Sequence, residues 1–323
     1  MARIISPSIQ ATVQDYYGRR GFMDIGIAYS GFMDNLAGRL VNQVIGNDIN
    51  APAIEITGGG FEIEFQEKSI IAIGGSDIKA SINGNYIEHY KAVEVNPGDI
   101  LKTDRISAAT KGFRQYLAVA GGVMVDEYLG SHSTAVYGGF GGFNGRNLKA
   151  GDVLETGTVS EDNKASAGRK LSSECIPVLT DTWTFRAVPG PDAAPDFITE
   201  EGMEEIYNTE YRAQMYCDRS GIRLKGPAPK WNADRMSAGG HPSNITDHGY
   251  PCPGGVNISG DTLIMFTCES PTSGGLICAL SVIEEDLWKM GQIFPGRDKI
   301  RFKYCDVKEA VELKKTDVPL SFE

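Results

Sequence analysis

The sequence predicts a mainly β protein built as a barrel or a sandwich, and two observations carry this prediction. Short segments of alternating character recur along the chain, for example over residues 61–65 and 69–73. Turn-forming pairs such as Asn83-Gly84 separate these segments, and the chain contains 39 glycines. Strands at this spacing, joined by such turns, are typical of all-β folds rather than of βαβ repeats.

We expect only a few short helices between these strands. Asp34 is placed to cap the first helix, and Gly46 to end it. The apolar residues between them recur at helical spacing and are Leu36, Leu40, Val41, Val44 and Ile45. A second helix is predicted over residues 284–290, directly after a strand.

The chain is long enough for two domains, and its composition indicates where they meet. Residues 157–173 are polar and small and lack hydrophobic periodicity, which is typical of an exposed linker. We therefore predict a first domain over residues 1–157, a linker over residues 158–182 and a second domain over residues 183–323. A Pro-Gly turn precedes a strand in each half, which favours two related barrels.

Charge and hydropathy argue against some classes of function. The net charge of −11 argues against a nucleic-acid partner, because such a surface needs clustered lysines and arginines. No apolar run is long enough to cross a membrane. The N-terminal segment lacks the apolar stretch of a secretory signal, so we expect a cytoplasmic location.

The six cysteines are spread over the second half, with no CxxC pair and no histidine at zinc-finger spacing. In a cytoplasmic protein this pattern favours reduced thiols over a disulfide framework. We therefore expect mostly buried free thiols and no metal site.

Residues 236–283 contain a dense set of polar residues, glycines and turns. Two of the four histidines, His241 and His248, lie there, with Asn244 and Asp247 between them. Glycine lets backbone N–H groups approach a ligand, and amides and carboxylates orient it, so this composition favours polar binding loops. The alternative is a run of surface β-hairpins with Gly, Pro, Asn and Asp turns.

Ordered motifs run through nearly the whole chain. In the first half they include Gly26-Ile27-Ala28-Tyr29-Ser30-Gly31-Phe32-Met33-Asp34, Tyr116-Leu117-Ala118-Val119-Ala120-Gly121-Gly122 and Leu129-Gly130-Ser131-His132-Ser133-Thr134. In the second half they include Asp218-Arg219-Ser220-Gly221-Ile222-Arg223 and His241-Pro242-Ser243-Asn244. Together they resemble the biotin-dependent carboxyltransferase family, which holds the C subunit of 5-oxoprolinase, allophanate hydrolase subunit 2 and the carboxyltransferase domain of urea carboxylase.

The second-half motifs are similar to the urea carboxylase branch of this family. The 5-oxoprolinase branch normally carries a Gln-Thr-Thr-Gly-Gly-Tyr-Pro-Lys loop, whereas residues 271–278 read PTSGGLIC and place Cys278 where that lysine stands. Two positions depart from the family pattern. His132 replaces the usual arginine of a Gly-Ser-Arg-Ser-Thr motif, and the Cys252-Pro253-Gly254-Gly255 turn is wider than usual.

The resemblance implies a pair of cyclophilin-like β-barrels in tandem with a few short helices. It also implies a carboxyltransferase subunit of a biotin- and ATP-dependent carboxylase, which moves CO2 from carboxybiotin to urea or a urea-like amide nitrogen. The chain has no GxxxxGK[ST] loop for ATP and no Met-Lys-Met biotinyl site. Biotin is therefore expected on a partner, ATP is expected to be used by a partner, and neither is expected to bind this chain tightly.

The partners that the resemblance implies are a biotin carboxylase, a biotin carrier protein and a protein like the B subunit of 5-oxoprolinase or allophanate hydrolase subunit 1. The implied substrate is urea or a small amide, and we expect the chain to be inactive without its partners. One alternative is that the chain is the C subunit of a 5-oxoprolinase and helps an ATP-dependent lactam hydrolysis. Another is a non-catalytic module that binds and regulates a partner.

Four residues are the expected catalytic set, namely Asn244, Asp247, His241 and Ser273. Asn244 and Asp247 are three residues apart, where both can face one ligand that offers a donor and an acceptor, as urea does. His241 is expected to move a proton near neutral pH. The alternatives are an Asx-turn for the first pair and a structural role for the histidine.

The expected binding set lies partly in the glycine loop. Gly274 and Gly275, with the Ser273 hydroxyl, are expected to stabilise a developing ureido oxyanion, and the alternative is an ordinary hairpin turn. Arg219 and Arg223 are expected to contact an anion, because they lie in the urea carboxylase-like motif.

Ser30 and Asp34 flank a predicted helix start in the first half. Free N–H groups at such a position favour an anion, so both residues are expected to help bind a carboxylate. The alternative is that Asp34 only caps the helix.

Overall fold

The computed structural model describes residues 1–235, 240–243, 252–314 and 320–323. Its described residues form two compact units. The first contains Met1–Arg20, Ser30–Leu179 and residues 320–323. The second contains Gly21–Tyr29 and most of the chain after Thr180. Strands dominate both units, so the predicted mainly β fold class is confirmed.

The strands of the first unit are β1 Ala2–Pro7, β2 Gln10–Gln14, β3 Ala53–Thr57, β4 Phe61–Phe65, β5 Ser69–Gly75, β6 Ala80–Ile82, β7 Asn85–Ile87, β8 Val93–Val95, β9 Ile100–Thr103, β10 Arg114–Val119, β11 Val123–Met124 and β12 Val153–Thr156. They form a seven-stranded sheet, in the order β11-β12-β1-β4-β9-β6-β7, and a five-stranded sheet, in the order β2-β3-β10-β5-β8. One hydrophobic cluster takes side chains from both sheets, including Ile63 of β4 and Leu117 of β10.

The α-helices of the described residues are α1 Asn35–Val44, α2 Glu161–Ala165, α3 Glu200–Asn208, α4 Lys289–Gln292 and α5 Val307–Lys314. Helix α1 begins where the sequence predicts, because the Asp34 carboxylate accepts hydrogen bonds from the N–H groups of Leu36 and Ala37. Its buried face includes Leu40 and packs on the five-stranded sheet. Removing that side chain in Leu40→Ala should cost about 2–5 kcal/mol of stability. No helix in the described part of the chain is long and apolar enough to span a bilayer.

The segment predicted as a linker, residues 158–182, is folded for much of its length, which differs from the expectation of an exposed connection. Ser160 and Asn163 form a reciprocal cap at the start of α2, and the Asn163 amide donates to Ile45 O at 2.7 Å. Leu171 is completely buried. These residues pack against the first unit, and the division between the units falls between Leu179 and Thr180.

The strands of the second unit are β13 Thr182–Pro189, β14 Glu210–Cys217, β15 Gly221–Lys225, β16 Gly255–Ser259, β17 Thr262–Phe266, β18 Ile277–Val282 and β19 Lys299–Tyr304. They close into a seven-stranded barrel in the order β13-β18-β16-β17-β15-β14-β19. Strands β13 and β19 pair in parallel, and the other neighbours pair antiparallel.

Alternation along the barrel strands separates an inner face from an outer face. Trp183 and Phe185 of β13 are buried and lie on the inner face, while Thr184 between them is exposed. The cross-strand register places Val256 opposite Met265 on the inner face and Asn257 opposite Ile264 on the outer face. Both rows are buried, so part of the outer face is also covered.

The second predicted helix, over residues 284–290, is not continuous. A 3₁₀ turn covers Glu284–Asp286, and the short helix α4 follows at Lys289–Gln292. The buried Asp286 carboxylate accepts hydrogen bonds from the backbone N–H and the guanidinium of Arg186 on β13. This tertiary contact holds the segment close to the barrel wall, and sequence periodicity does not reveal it.

Candidate functional site

A cavity of about 440 Å³ opens on the second unit between β14, β15 and β17. Its volume lies in the range of sites for small organic ligands. The residues that matter for its chemistry are Cys217, Asp218, Arg223, Ile264, Phe266 and Pro271. The cavity therefore combines one guanidinium, one carboxylate and an apolar wall.

Strand register builds this cavity. Gly221 lies opposite Phe266, and Arg223 lies opposite Ile264, so all four side-chain positions share the outer face of the barrel. A tight turn precedes β15, where the Asp218 carboxylate accepts hydrogen bonds from the N–H groups of Ser220 and Gly221 at 2.8 and 3.2 Å. These hydrogen bonds stabilise the turn, which forms part of the rim of the cavity.

The two arginines of the predicted anion site have different environments. Arg219 is almost completely buried, and its Nε donates to the buried carboxylate of Glu269 at 2.9 Å. Arg223 is exposed and lines the cavity, and it forms no ion pair among the described residues. Arg223 is therefore the better placed of the two to meet an anion, while a ligand contact by Arg219 stays a prediction.

The predicted glycine loop follows Pro271, which lines the cavity. Ser273 and Gly274 are exposed, and Gly275 has a φ of 99°, a conformation that favours glycine. Strand β18 begins two residues later at Ile277. The loop therefore directly follows a cavity residue in the sequence. Its role in stabilising an oxyanion stays a prediction.

His241 is held by hydrogen bonds on both ring nitrogens. Its Nδ1 lies 2.8 Å from the hydroxyl of the buried Ser243, and its Nε2 lies 3.2 Å from the carboxylate of Asp261. The Trp231 indole donates to the same Asp261 oxygen at 3.1 Å, and its ring meets the imidazole edge-on. These contacts favour the structural alternative, because proton transfer to a ligand would require His241 to release one of them.

Two of the expected catalytic residues, Asn244 and Asp247, lie outside the described residues, as does His248. Their roles therefore stay predictions. Within the described ranges, no group of three or more His, Cys, Asp or Glu side chains has the arrangement of a metal site.

In the first unit, Asp34 acts as the helix cap. Its Oδ1 accepts from Leu36 N at 3.1 Å and from Ala37 N at 2.9 Å, so its own carboxylate takes the place of an external anion. This geometry favours the capping alternative. Ser30 is buried, has a φ of 58°, and its hydroxyl has no hydrogen-bond partner among the residues that the structure describes. Its binding role stays a prediction.

The motif that contains His132 has a structural role in the first unit. The buried Asp15 carboxylate accepts from the hydroxyls of Ser131 and Ser133 at 2.9 and 2.7 Å and from the backbone N–H of His132 at 2.6 Å. Because the third donor is a backbone group, replacing the usual arginine by His132 keeps this network. Whereas the His132 backbone contacts Asp15, the Nδ1 atom of its imidazole lies 3.0 Å from Val125 O.

The apolar wall of the cavity, formed by Ile264 and Phe266, is not evident from the sequence. Strand β17 reads TLIMF, so its two faces are both largely apolar and no period of two marks the outer one. Only the register against Gly221 and Arg223, which comes from the folded barrel, separates the wall from the core.

Comparison with known proteins assigns the family. Residues 25–304 match the model of the carboxyltransferase domain, subdomains A and B. The chain belongs to this family. The predicted resemblance is thus confirmed.

Relatives of two kinds are similar to this chain. Urea amidolyase of Lachancea kluyveri is 40% identical over 97% of the chain, which spans only 17% of that relative. The C subunit of 5-oxoprolinase from Escherichia coli is 32% identical over 97% of the chain, which covers 94% of that relative. The crystal structure of K. lactis urea amidolyase matches with a TM-score of 0.90 and 36% identity, covering 97% of this chain and 19% of that one.

Proposed function

We propose that this chain is the carboxyltransferase subunit of a biotin- and ATP-dependent carboxylase that transfers CO2 from carboxybiotin to urea or a urea-like amide nitrogen. The observation that carries the proposal is the cavity in which Arg223 stands beside the apolar wall of Ile264 and Phe266. The chain is 40% and 38% identical to two urea amidolyases over 97% of its length, which supports the proposal.

The residues of the cavity fit a carboxylated ureido group. Arg223 is a permanent cation that can hold a carboxylate in two parallel hydrogen bonds, and it is exposed to the cavity. Ile264 and Phe266 offer apolar surface to a ring. When bound, carboxybiotin supplies the activated carboxyl group that is transferred.

The chain's own residues then bind and orient the reacting groups and exclude water. Arg223 holds the negative charge, and the backbone N–H groups around Gly274 and Gly275 meet the developing oxyanion. Asn244 and Asp247 orient the accepting nitrogen in this proposal. His241 positions its loop through Ser243 and Asp261 rather than moving the proton itself.

The partners in this proposal are a biotin carboxylase that uses ATP, a biotin carrier protein and a protein like the B subunit of 5-oxoprolinase or allophanate hydrolase subunit 1. The chain spans less than a fifth of the length of the yeast urea amidolyases that it matches. We expect a cytoplasmic complex in which this chain alone has little activity.

A second candidate is the C subunit of a 5-oxoprolinase that acts in ATP-dependent lactam hydrolysis. The match over 94% of the length of the Escherichia coli relative favours it. Cys278 argues against it, because this residue stands where that branch normally has lysine. Burial raises the pKa of the Cys278 thiol to about 12, so no charged group replaces the lysine there.

Reconstitution with a biotin carboxylase and a biotin carrier protein tests the proposal. We expect fixation of labelled bicarbonate that requires this chain, ATP and urea, and that avidin abolishes. Hydrolysis of 5-oxoproline that avidin leaves unchanged would favour the second candidate. Fixation at the same rate without this chain would refute the proposed function.

A further inference from the structure

A short turn from the first half of the sequence lies against the loop that follows the cavity residue Pro271. This turn, residues 22–27, is called the strap here and belongs to the segment Gly21–Tyr29, which packs with the second unit. A Cβ atom at Gly26 of the strap would be 3.8 Å from Thr272 Oγ1, which is an ordinary contact distance. Thr272 directly follows Pro271. The strap therefore reaches the loop at the end nearest the cavity.

Hydrogen bonds within the strap hold its backbone. The N–H groups of Ile25 and Ile27 both donate to Phe22 O, at 3.3 and 3.1 Å, and the N–H of Gly26 donates to Met23 O at 3.1 Å. Gly26 has a φ of 89°, a conformation that glycine adopts without strain. The strap is thus a preorganised turn that presents bare backbone at Gly26.

Residues 272–275, called the glycine loop here, are fixed mainly at their two ends. On one side Ser270 N donates to Thr267 O at 3.1 Å, and on the other Cys278 N donates to the Asp192 carboxylate at 3.0 Å. The four N–H groups of residues 272–275 donate to no group that the structure describes. They are therefore available to an oxyanion, but no hydrogen bond of their own sets their direction.

We infer that the strap positions the glycine loop through the contact of Gly26 with Thr272. This inference rests on the proposed function and deepens it, because that function needs the N–H groups of residues 272–275 to point at one developing charge. Donors that are already oriented stabilise such a charge without rearrangement during the reaction. Gly26 and Thr272 are thus positioning residues, and the missing side chain at Gly26 sets how closely the loop approaches the strap.

A bulky side chain at Gly26 tests the contact in the 323-residue chain. Gly26→Leu extends a side chain toward Thr272, and we expect it to move the NMR amide resonances of Gly274 and Gly275. Gly21→Leu is the matched control, because Gly21 has a φ of 90° and a Cβ there would have no described atom within 4 Å beyond its chain neighbours. It carries the same backbone strain and should leave both resonances in place. Equal movement in the two variants, or none in either, would overturn the inference.

Variants of Thr272 test the contact from the side of the loop. Thr272→Ala removes the Oγ1 atom that faces Gly26, whereas Thr272→Ser keeps it, so the alanine variant should move the Gly274 and Gly275 resonances further. The double variant Gly26→Leu/Thr272→Ala makes room for the leucine and should lie closer to the wild type than Gly26→Leu does. Thermal melts verify folding, and the Thr272 variants decide the question if Gly26→Leu does not fold. Equal movement in the alanine and serine variants would refute a role for this contact.

Kinetics of the reconstituted complex separate positioning from stability. We expect Gly26→Leu to lower kcat for carboxyl transfer about 10-fold or more while the KM for urea stays nearly unchanged, because only a transition-state contact is disturbed. Thr272→Ala in the same chain should restore part of kcat, and Gly21→Leu should retain all of it. Strap-dependent movement of the loop in a complex without carboxyl-transfer activity would refute the proposed function alone. Full kcat in a folded Gly26→Leu variant would refute this inference alone.

Discussion

Glu269 Oε1 lies 2.9 Å from Nε of Arg219, and both side chains are buried. The backbone reinforces the pair, since Glu269 N and the Thr267 hydroxyl both donate to Arg219 O. The pair therefore joins the turn before β15 to the turn after β17, and both turns border the cavity.

Removal of Glu269 should be strongly destabilising. Glu269→Ala removes the carboxylate that pairs with the buried Arg219 guanidinium, and breaking a buried ion pair costs about 3–5 kcal/mol. Urea denaturation monitored by circular dichroism measures this loss. The control is Glu284→Ala, which removes an exposed ion pair with Lys314 and should cost less than about 1 kcal/mol. Similar losses in the two variants would mean that the buried pair contributes no more than a surface one.

Cys278 should be inert in the folded protein. Burial, with the nearby Cys252 and Asp192, raises the pKa of its thiol to about 12, and the thiolate is the reactive species. We expect iodoacetamide at pH 8 to label Cys278 at least about 10²-fold more slowly in the native chain than in the unfolded chain. Peptide mass spectrometry after timed quenching gives both rates. Rapid labelling of the native chain would place this thiol in contact with solvent.

Asp286 should govern part of the acid stability. Burial favours its protonated form, but hydrogen bonds from Arg186 and Lys289 outweigh burial and hold its pKa below the usual range. A carboxyl with a depressed folded-state pKa stabilises the fold above its unfolded pKa of about 3.9 and loses this contribution as the pH falls below that value. Melting temperatures should therefore decline steeply below about pH 4.

Asp286→Asn tests this pH dependence. The variant should be less stable than the wild type at pH 7, because Arg186 and Lys289 lose their charged partner. Its melting temperature should also fall less than that of the wild type between pH 5 and pH 3. Parallel curves for the two proteins would show that other carboxyls dominate the acid transition.

Local sequence signals predicted the strands and the first helix because short-range physics determines them. The strand at residues 61–65 follows from the alternation of its residues. The start of the first helix follows from hydrogen bonds between the Asp34 side chain and its own neighbours in the chain. The fold of residues 158–182 was not predictable from local sequence, since their polar side chains bond to distant backbone, as Asn163 does to Ile45.

The site was less predictable because its geometry depends on contacts far apart in sequence. Arg219 and Arg223 look equivalent in the sequence, and only the partner Glu269, fifty residues away, separates the buried one from the exposed one. Ile264 likewise becomes a wall only through its register with Arg223. The order of the motifs identified the family. Which arginine of the motif is buried and which faces the cavity depends on contacts in the folded barrel.

Arg223 should matter for activity and little for stability. Arg223→Ala removes the exposed cation of the cavity, so in the reconstituted complex we expect carboxyl transfer to fall by about 10²-fold or more, with the melting temperature nearly unchanged. Lys225→Ala is the matched control, because Lys225 is an exposed cation on the same strand that does not line the cavity. It should retain full activity. Arg223→Lys should recover only part of the rate, since lysine keeps the charge but cannot form two parallel hydrogen bonds with a carboxylate. Equal rates for Arg223→Ala and Lys225→Ala would remove this cavity from the reaction.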